Sequence, residues 1–171
     1  MENFELWLPT RMVFGKSAEN RVGDCVNDCF RSRGEEPGKV LLVYGGGSIV
    51  RSGLYDRVTV ALTVAGLDYV ELSGVHPNPA LSKVREGIDL ARREDVKFIL
   101  AVGGGSVIDT AKAIALGVPY SGDVWDFYAK KATAKAALPV GVVLTIPAAG
   151  SEGSGNSVIT NEETQVKVGV R

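Results

Sequence analysis

One histidine, two cysteines and seven prolines in 171 residues exclude several kinds of protein at the outset. With His76 alone, no metal centre built from several imidazoles can form within the chain. Cys25 and Cys29 stand four apart, awkward for a disulfide on a helix, and no companion ligands for a zinc site are visible. Val22, Cys25, Val26 and Cys29 recur at i, i+3, i+4 and i+7, so both thiols are expected on the apolar, buried face of a helix. An excess of either charge is also missing: 19 Lys and Arg face 20 Asp and Glu, a net −1. Neither a basic block nor an aromatic-basic stripe occurs, which argues against a nucleic-acid partner. No apolar run approaches the roughly 20 residues that cross a bilayer. The N-terminus, Met1-Glu2-Asn3-Phe4-Glu5, is acidic and has no apolar core segment. The expectation is a cytoplasmic protein with no membrane partner.

What the chain does have is 45% hydrophobic residues and 21 glycines, enough for one compact domain over residues 1–171 with many tight turns. Short runs rich in branched residues predict strands at Arg11–Phe14, Val40–Tyr44, Tyr69–Leu72, Phe98–Val102 and Val142–Ile146. Ser157–Thr160 and Val166–Val170 read as a terminal β-hairpin. Between them Leu54, Val58, Ala61, Leu62 and Ala65 follow helical spacing up to Gly66, a good C-terminal cap. Leu81, Val84, Ile88 and Ala91 do the same after Pro79. The runs 40–43 and 98–102 are apolar on both faces, which suits strands covered by helices on each side. The fold class is therefore α/β, with a doubly wound, largely parallel, Rossmann-like sheet and a terminal hairpin.

The sequence repeats itself where chemistry is expected. Val40–Tyr44 runs into Gly45-Gly46-Gly47-Ser48, and Phe98–Val102 into Gly103-Gly104-Gly105-Ser106. A strand ending in glycines before a helix exposes backbone N–H groups, admits an anion closely and adds the helix's partial positive charge. Two such corners at one sheet edge suit the separate anionic groups of a dinucleotide. No carboxylate follows Tyr44 to accept ribose hydroxyls; the stretch offers amides, the Ser48 hydroxyl and the Arg51 cation instead. This favours NADP(H) over NAD(H). Other residues carry two readings. Ser106 and Asp109 fit a capping pair or a site facing the reacting end, and Lys112 suits a pair with Asp109 at helical spacing. Thr145 and Ser151 fit phosphate donors or a plain connection. Asn78, between Pro77 and Pro79, fits a ribose contact or a turn cap.

Taken in order, Pro9–Lys16, Tyr44–Ser48, Pro77–Pro79, Gly103–Lys112, Asp123–Asp126 and Thr145–Glu152 resemble the iron-containing (group III) alcohol dehydrogenase family. Within it the likeness is to the NADP(H)-dependent, butanol dehydrogenase-like branch, and the GGGSxxDxAK and TIPAxGSE segments together are specific. The resemblance implies a dehydroquinate synthase-like N-terminal domain. It assigns Gly46, Gly47 and Ser48 to the 2'-phosphate, Asn78 to the adenosine ribose, and Gly104, Gly105 and Ser106 to the pyrophosphate. Thr145 and Ser151 take further phosphate or nicotinamide-side contacts, and Lys167 becomes a cofactor-contacting lysine. Asp109 becomes the candidate catalytic carboxylate on the substrate side. Ala149 departs from the Thr that relatives often carry and removes one hydroxyl. Family members continue into a helical half whose Asp and three His hold a divalent metal, iron or zinc, which polarises the oxygen of a small alcohol or aldehyde substrate. This chain is thus expected to be the cofactor-binding half alone, without that C-terminal metal-binding domain, inactive by itself, and self-associating as a homo-oligomer through uncovered apolar surface. The competing readings are a stand-alone nucleotide-binding or interaction module, and half of a glycerol dehydrogenase-like or dehydroquinate synthase-like enzyme.

Overall fold

The computed structural model describes residues 10–170. A 3-10 turn, Ala18–Arg21, leads into α1 (Val22–Ser32) and β1 (Val40–Tyr44); α2 (Ser48–Arg51) and α3 (Leu54–Val64) then precede β2 (Tyr69–Leu72). Next come α4 (Leu81–Arg93), β3 (Phe98–Gly103), α5 (Gly105–Gly117), α6 (Trp125–Tyr128) and β4 (Val140–Leu144). Strands β5 (Ser157–Asn161) and β6 (Val166–Val170) close the described chain.

The apolar runs form the centre of the sheet, as their two-faced character requires. Four parallel strands stand in the order β2-β1-β3-β4, and β1 and β3 are buried almost throughout. On one face Val26 and Phe30 of α1 and Val58 and Leu62 of α3 meet Val40, Leu42, Leu100 and Val102. On the other, Val84 and Ile88 of α4 and Ile108 and Ile114 of α5 meet Leu41, Val43, Ile99 and Ala101. Each such Val, Leu, Ile or Phe side chain, fully buried, contributes about 1.5–3 kcal/mol, so the two layers dominate the stability of the domain. Helix α3 stops where Gly66 takes φ +73°: its N–H reaches Thr63 O at 3.0 Å, and that of Leu67 reaches Leu62 O at 3.0 Å. This is the Schellman ending that the glycine foretold.

The hairpin pairs antiparallel, with Ser157 opposite Val170, and packs on the helices instead of extending the sheet. Ile159 is fully buried in the α4–α5 core, and the Tyr128 hydroxyl lies 2.6 Å from Ser157 Oγ.

Three expectations are corrected. Arg11–Phe14 is not a strand: Met12 and Phe14 are exposed, no described strand lies alongside, and Arg11 reaches over to Asp28 of α1 at 2.7 Å. The fourth strand starts and ends two residues earlier than Val142–Ile146, because its register on β3 runs from Val140 to Leu144, where β3 itself ends at Gly103. Cys25 and Cys29 are half-buried flanks of α1, whose buried ridge is Val22, Val26 and Phe30.

Helices α1 and α3 approach so closely at Gly23 that a methyl group there would stand 2.2 Å from the Ala61 carbonyl oxygen. Gly23→Ala is therefore expected to destabilise the fold by at least about 1 kcal/mol, despite alanine's better helix propensity, because backbone must move. The urea midpoint at unchanged m-value measures it.

Candidate functional site

Neighbouring strands β1 and β3 send their following helices to opposite faces of the sheet, α3 to one core layer and α5 to the other. The chain parts between the two strand ends and leaves a crevice at the carboxyl edge, the topological switch point. In register, Tyr44 lies opposite Val102, which sets the two glycine corners level with each other.

At the first corner Gly46 is open: a methyl group built on it meets nothing within 4 Å. One on Gly47 would lie 2.9 Å from an Arg51 guanidinium nitrogen, so this cation folds back over the corner that Ser48 closes as the first residue of α2. The loop after β2 is tied in as well. Gly74 donates its N–H to Gly45 O at 3.0 Å, and Val75 to Tyr44 O at 3.2 Å. A few residues on, Asn78 sits between its prolines with φ +58°, and its Oδ1 accepts a hydrogen bond from Lys167 Nζ of β6 at 2.8 Å. Two residues singled out separately in the sequence thus meet across 89 positions.

The second corner differs from its expected capping. Gly104, extended at φ −95° and ψ −167°, is the N-cap, and α5 begins at Gly105. Its carbonyl accepts the N–H groups of Val107 at 3.0 Å and Ile108 at 3.1 Å, which starts the helix two residues before Ser106 could cap it. Ser106 lies within the first turn, where its carbonyl accepts the Thr110 hydroxyl at 2.9 Å. No side chain caps α5, so its first amides face the crevice. The loop after β4 lies over this corner: methyl groups built on Gly104 and Gly105 would stand 3.8 Å from Ile146 Cβ and 3.5 Å from Ala149 Cβ. Thr145, itself exposed, carries its N–H to Gly103 O at 3.1 Å.

Asp109 and Lys112 do not form the expected direct pair; both hold this loop. Asp109 Oδ1 accepts the Ser151 hydroxyl at 2.6 Å, and Oδ2 accepts the Val158 N–H at 3.1 Å. Lys112 Nζ donates to Ser151 O, to Ser151 Oγ at 3.0 Å and to Asn156 O at 2.9 Å. Burial pushes the Lys112 ammonium below its ordinary range, with the charges of Asp109 and Glu152 working against that shift. Ser151, expected as a phosphate donor, is buried and gives its only hydrogen to Asp109.

One constellation escaped the sequence reading. Tyr44, the last residue of β1, and Tyr55 of α3 donate to Glu71 of β2, at 2.6 Å on Oε2 and 2.7 Å on Oε1. Burial and the Glu71 carboxylate push the Tyr44 hydroxyl up to about 12, and the hydrogen bond that Tyr55 donates to Glu71, with burial, raises Tyr55 as well. Its only signal in the sequence was a carboxylate within a strand.

Among the described residues no three His, Cys, Asp or Glu side chains could together hold a metal ion, and no helix is long and apolar enough to cross a membrane.

Level glycine corners at the switch point of a parallel sheet define an α/β domain with glycine-rich loops along its carboxyl edge. The chain belongs to the iron-containing alcohol dehydrogenase family, whose model matches residues 9–171. It is 54% identical over 168 residues to a probable NADH-dependent butanol dehydrogenase 2 of Bacillus subtilis, covering 98% of this chain and 41% of that protein. It is 38% identical over 167 residues to the NADPH-dependent aldehyde reductase YqhD of Escherichia coli, covering 96% and 41%. The crystal structure of an NADH-dependent butanol dehydrogenase A from Thermotoga maritima superposes with a TM-score of 0.91 at 48% identity, covering 99% of this chain and 41% of that one. The chain thus spans about two fifths of the length of these relatives.

Two outcomes follow from the geometry. Lys112→Met strips the donors from two loop carbonyls and should cost about 1–3 kcal/mol, with faster amide exchange confined to residues 145–158 as its local signature. The phenols contribute to alkaline stability, since burial also pushes Tyr128 up to about 12. With folded values above the ordinary 10.0, Tyr44 and Tyr128 keep their protons when the unfolded chain has lost them. Stability should therefore hold below that ordinary value and fall as the pH rises from it towards the folded values, and Tyr128→Phe should make the fall shallower in urea titrations at stepped pH.

Proposed function

We propose that the crevice binds a nicotinamide dinucleotide, NADP(H) in preference to NAD(H), and that the whole protein transfers hydride between it and a small primary alcohol or the matching aldehyde in the cytoplasm. The observation that carries this reading is the pair of level glycine corners, with Arg51 folded over the first. The residues fit the cofactor. Gly46, Gly47, Ser48 and Arg51 would take the 2'-phosphate, and the amides of Gly104, Gly105 and Ser106 at the start of α5 the pyrophosphate. Asn78 and Lys167 would take the adenosine ribose, and Thr145 a contact towards the nicotinamide. Asp109 works from the substrate side through Ser151, whose hydroxyl it orients. When bound, the cofactor supplies or accepts the hydride.

The relatives' names divide between NADH and NADPH, so the preference rests on this chain's own residues. No carboxylate follows β1, a guanidinium covers the corner, and each oxygen of Glu71 on the next strand already accepts a phenol. A single histidine does not fit a metal centre with three imidazole ligands, so no step through a metal is assigned to these 171 residues, and by themselves they should bind nucleotide without turnover.

Calorimetry tests the reading. NADPH should bind more tightly than NADH, and Arg51→Gln should weaken NADPH by about tenfold or more while leaving NADH nearly unchanged. Equal affinities, no binding of either, or reduction of butanal by the 171-residue chain would contradict it.

A further inference from the structure

Helix α4 begins without a cap of its own. Ala80 occupies the N-cap position behind Pro79, and no side chain near it in sequence receives the first amides. The acceptor comes from 80 residues further on: Glu162 Oε2 accepts the Ser82 N–H at 3.3 Å, and Oε1 accepts the Ser82 hydroxyl. A carboxylate there also suits the positive end of the helix. Glu162 stands in the turn between β5 and β6, fixed by Asn161 Oδ1, which accepts the amides of Glu163 at 3.0 Å and Thr164 at 3.3 Å. Beside it Thr160 donates its N–H to Pro79 O at 2.9 Å. Thr160 is opposite Lys167 in the hairpin register, and Lys167 reaches Asn78. Residues 78–82 therefore hold the hairpin at three points, and the Lys167–Asn78 contact exists only while the hairpin is seated.

We infer that Glu162 is a positioning residue for the nucleotide, seating the β5–β6 hairpin on the N-terminus of α4 so that Lys167 is held at Asn78. This rests on the cofactor reading above and deepens it: affinity at the ribose depends on a carboxylate that does not touch the ligand.

The test uses the whole chain and NADPH, at a temperature where circular dichroism shows every variant fully folded. Glu162→Gln should weaken NADPH by about tenfold. Adding Ala80→Ser gives α4 a neutral cap of its own without reseating the hairpin. Affinity should then stay low, whereas recovery would show that Glu162 only caps the helix and would overturn the inference. Lys167→Met should lose affinity alone and lose no more when combined with Glu162→Gln; additive losses would also overturn it. If the unmodified chain fails to bind NADPH, the cofactor reading fails. If it binds and Glu162→Gln matches it, only this inference does.

Discussion

The parallel pairing of β1 with β3 is the constraint from which the site follows. Because both strands are apolar on both faces, each must be covered twice, and the helix after each can cover only one face. Their sending those helices to opposite faces opens the crevice between the strand ends. Apart from Lys167 of β6, the residues assigned to the nucleotide lie on the loops and helix starts at that edge. The backbone there can approach a ligand closely because glycine replaces side chains that would otherwise fill the space under Ile146 and Ala149.

The edge is held by polar side chains drawn from far along the chain. Asp109 and Lys112, one turn apart on α5, converge on Ser151 and fix the loop above the second corner, while Glu162 and Lys167 fix the hairpin beside Asn78. Desolvation makes the ammonium of Lys112 costly in place, as its depressed pKa registers, and the carbonyls it receives offset that cost only while the loop stays down. Loop and hairpin are thus coupled through Asp109, whose two carboxylate oxygens bind one residue of each.

How much of this the sequence disclosed depends on range. Period and punctuation are local, so the four sheet strands, the Gly66 ending and the glycine corners could be read directly. Misreadings arose where a decision needed a distant partner. Arg11–Phe14 is a short apolar run like those of the strands but has no described neighbour to pair with, and the fourth strand's limits were set by β3. Ser106 followed the rule for an N-cap, yet the helix started on Gly104 because extended backbone there placed its carbonyl within reach of two amides. Asp109, Asn78 and Lys167 were recognised as residues of interest, but their partners lie 42 to 89 positions away, and no spacing rule reports such contacts. The Glu71 pair of phenols was missed for the same reason.

Nucleotide choice turns on few atoms. Arg51 is exposed, on a helix of four residues, and covers a corner that is otherwise neutral. At about 4 Å a single unit-charge pair contributes between about 1 kcal/mol in bulk water and about 4 kcal/mol near a protein surface. A 2'-phosphate held there therefore gains between roughly fivefold and several hundredfold in affinity, depending on how far the crevice excludes water. A term of that size can be added or removed by one substitution at the first corner without disturbing the buried strands beneath it. On the proposed reading, residues 45–51 and not overall identity would carry the nucleotide preference.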